Sequence, residues 1–271
     1  MGIPVVFIHG MWCNSTHLTK LDELFRARTY DTHRPALPHH AREPGQAEAV
    51  AALSLNDYVQ SVKDYITAQG FTHPPVLVGH SMGGLVAQRL AAQLPTAALV
   101  LLTPASPAGI NAIRLKVLAW SLPILSRPGF WKRAHRLSAE QARRYAVNGL
   151  HVTQQEKIIN SLVHESGRVL SEIAFWWADS RKSTRVDPSK VQCPVYVLSA
   201  GRDSLTPAAV VKKVAARYAN ATYRHWPERS HWVIDDIDTE DMVHEIDGWL
   251  RPILQRLNRV PLPLPKVDRA S

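Results

Sequence analysis

The sequence predicts an α/β fold, a parallel sheet of about six strands with helices on both faces. Two observations carry this prediction. Short apolar, β-branched runs alternate with segments of helical periodicity, and such alternation requires crossover connections between parallel strands. One strand-to-helix step, at G-H-S-M-G-G, leaves almost no residues for a loop. With 271 residues, 45% of them hydrophobic, the chain has room for one domain with an insertion.

The first part of the chain alternates strand and helix in order. The predicted elements are a strand at Pro4–His9, a helix at Ser15–Arg28, a short strand at Tyr30–Arg34, a loop at Pro35–Gly45, a helix at Leu55–Gln69, a strand at Pro75–Val78, a helix at Leu85–Leu94 and a strand at Ala97–Thr103. Ser54 and Gly70 are typical start and stop signals for the helix between them, and Pro95 stops the next helix.

The alternation resumes late in the chain. The predicted elements there are a strand at Val195–Gly201, a helix at Pro207–Tyr218, a strand in Ala221–Trp226 and a final helix at Asp241–Leu257. The gap between the two halves, Ala105 to Pro188, is helical in pattern and shows no strand signals. Ligands bind beyond the carboxyl ends of parallel strands, so we expect this insertion to cover that end as a cap.

The predicted domain organisation follows from this gap. Residues 1–106 and 188–257 form the core, and residues 107–187 form the helical cap, which we call the cap segment. Residues 258–271 contain R-V-P-L-P-L-P-K, whose prolines exclude a helix or a central strand, and they are predicted to be a Pro-rich tail.

The charge is strongly positive and unevenly placed. The net charge is +9, and between Ala108 and Asp187 thirteen Lys/Arg stand against six Asp/Glu. No nucleic-acid motif accompanies this excess, so we predict no nucleic-acid partner. Two interpretations stay open, a solvated basic face or a field that attracts anionic substrates.

The sequence also bears on location. Cys13 and Cys193 lie in separate apolar surroundings and are expected to be reduced. No apolar run approaches the roughly 18 residues of a membrane span, and the start M-G-I-P lacks the basic region of a signal peptide. We therefore expect a cytoplasmic protein.

The heptapeptide V-G-H-S-M-G-G, Val78 to Gly84, joins a predicted strand to a predicted helix. A turn this tight strains its central residue and leaves room only for small neighbours, which Gly79 and Gly83 supply. It would place Ser81 at a helix N-terminus, where free N–H groups favour negative charge. The pattern G-x-S-x-G is typical of a nucleophile elbow. The alternative is a glycine-rich turn with a capping serine.

A serine nucleophile needs a base and an acid that orients the base, and in a sheet of this kind the acid and then the histidine follow the serine along the chain. The stretch L-S-A-G-R-D places Asp203 just after the next-to-last strand, and R-S-H-W places His231 after the last one. Asp235 and Asp236 are rival acids, but they lie too near His231 in sequence to orient it from the expected side.

These motifs make the chain resemble the α/β-hydrolases from Ile3 to about Leu257. The resemblance rests on four motifs in combination, the H-G after the first strand, G-H-S-M-G-G, the G-R-D turn and the S-H-W loop. Only two residues precede the first strand, so the two leading antiparallel strands of larger members have no room and six strands are expected. The loop L-P-H-H-A-R-E also lacks the usual Gly-His-Gly.

The resemblance implies a set of site residues. Ser81 would be the nucleophile, Asp203 the acid and His231 the base. The backbone N–H groups of Met11 and Met82 would form the oxyanion hole, because family members use the residue after the nucleophile and the residue after His-Gly. No cofactor or metal is implied, and His39-His40 lacks metal-ligand spacing to a Glu or Cys partner.

The implied function is a serine hydrolase that cleaves carboxylic esters of apolar or aromatic small molecules through an acyl-enzyme. The same triad serves C–C bond hydrolases, lactonases and thioesterases, which stay open as alternatives. A non-catalytic ligand-binding homologue is a remoter one. Dehalogenases and epoxide hydrolases of this family use Asp as the nucleophile, and Ser81 argues against both.

Four further side chains have expected structural roles. His9 is expected to shape the oxyanion loop and His80 to pack beside the nucleophile. Cys13 is expected to be a buried packing residue. The pair Trp176-Trp177 is expected mainly in the core of the cap segment, with one ring facing the cavity.

Overall fold

The computed structural model describes residues 3–112 and 115–259. Its eight strands are β1 (Pro4–Ile8), β2 (Asp31–His33), β3 (Val76–His80), β4 (Ala98–Leu102), β5 (Ala134–His135), β6 (Glu165–Ser166), β7 (Val195–Ala200) and β8 (Ala221–Trp226). Six of them form one sheet in the order β2-β1-β3-β4-β7-β8, and every neighbouring pair in it is parallel. The predicted fold class and number of sheet strands are confirmed.

Helices cover both faces of this sheet. The described helices are α1 (Thr19–Arg26), α2 (Gln46–Ala51), α3 (Leu55–Gln69), α4 (Met82–Ala91), α5 (Leu115–Leu125), α6 (Ala139–Gln141), α7 (Val152–Ser161), α8 (Gly167–Ala174), α9 (Ala208–Ala215) and α10 (Thr239–Arg259). No described helix is long and apolar enough to cross a membrane.

The strands sort their side chains between two apolar clusters because successive residues of a strand point to opposite faces. In β1, Val5 and Phe7 pack with residues of α1 and α10. Val6 and Ile8 pack on the other face with residues of α3, α4 and α9. The helix α10 is tied to the start of the chain as well, since the Tyr30 hydroxyl donates to Asp247 Oδ1 at 2.8 Å.

Local start and stop signals placed α3 correctly. Its capping box joins Ser54 and Asp57, and Ser54 N–H donates to Asp57 Oδ2 at 2.7 Å. Gly70 ends the helix with φ 58°, in the left-handed region that glycine adopts without strain.

Several boundaries differ from the sequence predictions. Residues predicted as one helix from Ser15 form a 3₁₀ turn at Ser15–Leu18 followed by α1. The sequence analysis missed α2, which begins after Gly45 with φ 78°. Helix α4 begins at Met82 rather than Leu85, because two glycines that look like turn residues form its first turn.

The segment between β4 and β7 is mostly helical, but the expectation that it holds no strands is wrong. β5 and β6 pair antiparallel, with Ala134 opposite Ser166 and His135 opposite Glu165. A two-residue ladder is too short to leave a period-2 pattern in the sequence. The division into core and cap segment stays a prediction.

The C-terminal prediction is partly wrong. Helix α10 extends to Arg259, so residues 258 and 259, assigned to the tail, belong to a helix. The remaining tail, 260–271, lies outside the described residues.

Candidate active site

Ser81 occupies the single residue between β3 and α4 and has φ 55° and ψ −122°. Serine rarely adopts this conformation, and its strain persists only where the surroundings impose it. The backbone supplies that constraint. Ser81 N–H donates to Leu102 O at 3.0 Å, and Ser81 O accepts from Gly84 N–H at 2.9 Å and Ala105 N–H at 2.8 Å.

Glycines make this turn possible by close approach of backbone to backbone. A Cβ on Gly83 would overlap the carbonyl of Ile8 at the end of β1, and a Cβ on Gly79 would overlap the carbonyl of Gly83. A Cβ on Gly10 would lie 2.9 Å from Ser81 Cβ. The predicted reason for the small residues around Ser81 is therefore confirmed at Gly79 and Gly83.

Asp203 follows β7 in a buried loop, and its carboxylate is fully hydrogen-bonded. Oδ1 accepts from the N–H groups of Leu205 and Thr206, both at 2.8 Å. Oδ2 lies 2.8 Å from His231 Nδ1 and 2.8 Å from the Thr206 hydroxyl, which also lies 2.9 Å from Thr103 O. These contacts leave the carboxylate one orientation, with Oδ2 toward the imidazole.

His231 follows β8, and its position is held through its own backbone. His80 Nε2 lies 3.0 Å from the carbonyl oxygen of His231, and the Thr103 hydroxyl donates to the same oxygen at 3.2 Å. Burial lowers the pKa of His80 to about 3, so its ring is neutral and Nε2 carries the proton that it donates. His80 therefore positions the loop that carries His231, and its ring lies 4.9 Å from the His231 ring.

The structure brings Asp203 and His231 into direct contact, but His231 and Ser81 are not hydrogen-bonded to each other. Both hydrogen-bonding contacts of the His231 ring are at Nδ1, to Asp203 and Thr206. Among the described residues no hydrogen bond joins His231 Nε2 to Ser81 Oγ. Such bonds are often long in free enzymes and shorten when substrate is bound.

The loop after β1 carries Met11, and α4 begins with Met82. Neither backbone N–H donates to an acceptor within residues 3–112 and 115–259, so both donors are available to a ligand. The loop is shaped by His9, whose Nε2 accepts from Leu37 N–H at 3.2 Å and whose Nδ1 donates to Gly10 O at 3.0 Å. Burial lowers the pKa of His9 well below its usual range, in keeping with this neutral tautomer.

Behind His9 lies a buried ion pair that the sequence analysis did not foresee. The His40 ring lies 5.1 Å from that of His9, and His40 Nε2 lies 3.1 Å from Glu165 Oε2 with both side chains fully buried. His40 Nδ1 lies 2.8 Å from Pro38 O. Since both ring nitrogens face acceptors, both carry protons. Burial by itself lowers the pKa of His40, but the charge of Glu165 and its hydrogen bond raise it overall.

Glu165 is satisfied by two further donors. The Tyr58 hydroxyl donates to Oε1 at 2.6 Å, and Ser166 N–H donates to the same oxygen at 2.7 Å. The ion pair thus joins three parts of the chain, the loop after β2, helix α3 and strand β6.

An apolar cavity of about 350 Å³ opens at Ser81. It is lined from the core by Met11, Trp12, Met82, Leu205 and Val210, and from the segment between β4 and β7 by Val117, Leu122, Leu125, Leu170, Ile173, Phe175, Trp176 and Trp177. The expectation that the tryptophan pair packs mainly in a core is wrong. Both line the cavity, and Trp177 is 57% exposed.

The rival acids are engaged elsewhere. Asp235 lies 3.9 Å from Lys20 Nζ. Asp236 lies 3.4 Å from Arg229 and accepts from Ile237 N–H at 2.6 Å. Cys13 is buried among apolar side chains, and burial raises the pKa of its thiol. In the described part of the chain, no three His, Cys, Asp or Glu side chains are arranged to hold a metal ion.

Two residues of the site escaped the sequence analysis. The Thr206 hydroxyl donates to Asp203 Oδ2. The sequence around it, T-P after G-R-D-S-L, contains no motif that predicts this hydrogen bond. Trp12 lines the cavity, and its indole N–H donates to His135 O at 3.1 Å. Its position directly after the oxyanion loop was the available signal.

The sequence model of the alpha/beta hydrolase family matches residues 5–245. The chain belongs to this family. It is similar to the pimeloyl-[acyl-carrier protein] methyl ester esterase of Chromobacterium violaceum, at 22% identity over 85% of this chain and 87% of that protein. It is also similar to phospholipase YtpA of Bacillus subtilis, at 26% identity over 88% of this chain and 91% of that protein.

Solved structures of this alpha/beta hydrolase family share the fold. A thermophilic esterase of Thermogutta terrifontis superposes with a TM-score of 0.66 at 22% identity, covering 93% of this chain and 91% of that one. The methylesterase MES16 of Arabidopsis superposes with a TM-score of 0.68 at 13% identity, covering 95% and 100%. Relatives of this kind support esterase- or lipase-type hydrolysis at the level of the family.

Proposed function

We propose that this alpha/beta hydrolase is a serine hydrolase that cleaves carboxylic esters of apolar or aromatic small molecules. The observation that carries the proposal is the hydrogen bond from His231 Nδ1 to Asp203 Oδ2 at 2.8 Å, together with a strained serine that lines an apolar cavity.

In the proposed acylation step, His231 Nε2 takes the proton of Ser81 as its oxygen attacks the ester carbonyl carbon. Asp203 holds the imidazole in the tautomer whose Nδ1–H points at the carboxylate, and it stabilises the imidazolium that forms. His231 then gives its proton to the leaving alcohol, and an acyl-enzyme remains on Ser81.

The developing oxyanion needs donors that are already in place. Met11 and Met82 supply two backbone N–H groups that no described protein acceptor occupies. Loss of one such donor typically costs about 3 kcal/mol of transition-state stabilisation. Water, activated by His231, then hydrolyses the acyl-enzyme and restores Ser81.

The wall of the cavity supports an apolar substrate. Most of its lining side chains are aliphatic or aromatic, so they gain from burying acyl or aryl groups. We propose that residues 107–187 act as the cap over this site, since they supply much of that wall. Cys13 and Cys193 are both unpaired, which fits the cytoplasmic location that we propose.

A serine-reactive fluorophosphonate probe tests the nucleophile. We expect peptide mapping to find the label on Ser81 and on neither Ser106 nor Ser121, which line the same cavity. Ser81→Ala should abolish labelling and ester turnover while the protein stays folded. A label on another serine, or full turnover by Ser81→Ala, would refute the assignment.

A substrate panel separates the reaction types. Aryl esters, lactones, thioesters and ring-cleavage diketones all suit a serine triad. We expect kcat/KM to be highest for the esters. A clear preference for one of the other three classes would replace the ester proposal with that activity.

A further inference from the structure

Three large apolar side chains are exposed on one edge of the cap segment. Leu122 is 59% exposed, Trp177 57% and Trp131 48%. Single exposed apolar residues are ordinary, but a contiguous set marks an interaction surface.

Leu122, Trp131 and Trp177 are connected by the cavity wall and by a series of aromatic contacts. Leu122 and Trp177 line the same cavity. Trp131 is linked to them through aromatic contacts, since its ring lies 5.4 Å from Phe130, Phe130 lies 6.3 Å from Phe175, and Phe175 lies 5.6 Å from Trp177. The exposed side chains of Leu122 and Trp177 therefore lie at the cavity of the candidate active site, and Trp131 lies next to them through Phe130 and Phe175.

Three cations lie close in sequence to Leu122 and Trp131. Arg127, Lys132 and Arg133 are exposed, and within the described structure none of their side chains forms an ion pair or a hydrogen bond. The sequence holds no Asp or Glu between Asp64 and Glu140. These three cations thus have no acidic partner in the described structure, and Asp179, the carboxylate near Trp177, accepts from the N–H groups of Arg181 and Ser183 instead.

We propose that this surface docks onto an anionic lipid bilayer. We call it the docking edge and define it as Leu122, Arg127, Trp131, Lys132, Arg133 and Trp177. Tryptophan favours the boundary between headgroups and acyl chains, leucine favours the chains, and arginine and lysine bind anionic headgroups. The cavity entrance would then face the bilayer.

The alternative partner for a cationic and apolar surface is an acidic protein. The bilayer is favoured because exposed Trp177 and Leu122 line the cavity, so that an apolar molecule could pass from the acyl-chain region into it without crossing water. Binding to lipid is measured without any turnover, so its outcome is independent of the proposed function.

Flotation with vesicles tests the docking edge. The full-length protein is mixed at low salt with vesicles of phosphatidylcholine alone or of equal parts phosphatidylcholine and phosphatidylglycerol. We expect binding to the mixed vesicles, little binding to phosphatidylcholine, and release at high salt. Absence of binding to the mixed vesicles would overturn the proposal.

Two variants that each remove three positive charges test whether the docking edge is the part that binds the vesicles. Arg127→Gln/Lys132→Gln/Arg133→Gln removes three cations of the docking edge. The matched control Lys212→Gln/Lys213→Gln/Arg256→Gln removes three exposed cations of α9 and α10. Each cation near an anionic surface strengthens binding about fivefold, so we expect the first variant to bind on the order of 100-fold more weakly and the control far less so. Equal losses in both variants would overturn the proposal.

A variant that removes one apolar side chain tests whether the docking edge inserts into the bilayer. Trp131→Ser keeps every charge, and we expect severalfold weaker vesicle binding with an unchanged thermal unfolding temperature. Binding that survives Trp131→Ser in full would show simple charge attraction and contradict docking through the apolar surface. Binding to an acidic polypeptide such as polyglutamate, with no binding to mixed vesicles, would assign the surface to a protein partner instead.

Discussion

At the scale of single residues, the carboxylate of Asp203 is the most constrained acid near His231. Oδ1 accepts two backbone N–H groups, and Oδ2 lies within 2.8 Å of both His231 Nδ1 and the Thr206 hydroxyl. An amide at this position would present a donor to a donor, which favours the wrong tautomer of the imidazole.

Asp203→Asn should therefore lower kcat on the order of 10⁴-fold with little change in stability. The measurement is kcat for 4-nitrophenyl butyrate. Asp235→Asn is the control and should keep nearly full activity, because Asp235 contacts Lys20 instead. If the two variants exchanged these outcomes, the acid would be Asp235 and not Asp203.

The buried pair of His40 and Glu165 predicts a pH-dependent stability. The pKa of His40 is raised in the folded protein, so the folded state holds this proton more tightly than the unfolded chain. The resulting stabilisation is complete below the ordinary histidine pKa of about 6.5 and is lost as pH rises through the raised value. We expect the free energy of unfolding, measured by urea at a series of pH values, to fall on the alkaline side.

Glu165→Gln isolates this contribution. Breaking a buried pair typically costs about 3–5 kcal/mol, so we expect a large loss at acidic to neutral pH and a flatter profile above it. Tyr58 and His9 are the other titratable rings beside His40. Burial and then the charge of Glu165 raise the pKa of Tyr58, so its titration lies at higher pH than the slope assigned to His40. Glu228→Gln, which removes an exposed carboxylate, should leave the profile as it is. An unaltered slope in Glu165→Gln would show that His40 does not cause it.

The positions of Asp203 and His231 could be predicted because each follows a strand whose apolar pattern is clear. The contacts that hold them could not. The Thr206 hydroxyl reaches both Asp203 and Thr103, which depends on how the loops after β4 and β7 meet. His40 and Glu165 are 125 positions apart, and no local pattern joins them.

At the scale of elements, the elbow joins β1, β3 and α4 through glycine. Gly83→Val should prevent folding or activity, because even its Cβ would overlap the carbonyl of Ile8. Gly248→Val is a matched change in the exposed part of α10, where a Cβ meets nothing within 4 Å. Soluble yield and thermal unfolding temperature are the measurements. A stable, active Gly83→Val protein would mean that β1 and α4 are not packed this closely.

Helices and strands whose ends are marked by nearby residues could be predicted from the sequence. Strands that form only by pairing with a segment far along the chain could not. Helix α3 carries both its cap and its terminator in sequence, Ser54 and Gly70. Strands β5 and β6 are each two residues long and exist only because they pair with one another. Their residues, Ala134-His135 and Glu165-Ser166, are not of the β-branched or aromatic types that favour strands.

At the scale of the whole molecule, the cavity formed between the core and the cap segment predicts a dependence on acyl length. Each buried methylene contributes about 0.8 kcal/mol, or roughly fourfold in kcat/KM, until the space is full. We expect kcat/KM for 4-nitrophenyl esters to rise from acetate to around butyrate or hexanoate. A preference for acetate over every longer chain would show that the apolar wall does not bind the acyl group.

The overall sheet followed from alternating strands and helices, since right-handed crossovers leave few topologies. The packing of the cap segment did not follow from the sequence. Both Trp176 and Trp177 line the cavity, and this arrangement depends on where α5 and α8 cross the carboxyl end of the sheet rather than on the sequence around the pair.

The packing of α10 against the first elements also bears on the order in which the protein is made. Phe7 and Phe25 share one apolar cluster with Met242 and Ile246, so these early side chains are covered by a helix that the ribosome synthesises much later. Until α10 emerges, that face of the nascent sheet is covered only in part, by α1 among others, and incompletely covered faces of this kind are prone to aggregate. A chain that stalls before α10 would therefore have this face of β1 covered by α1 but not by α10, and we expect chaperones that act during synthesis to bind it.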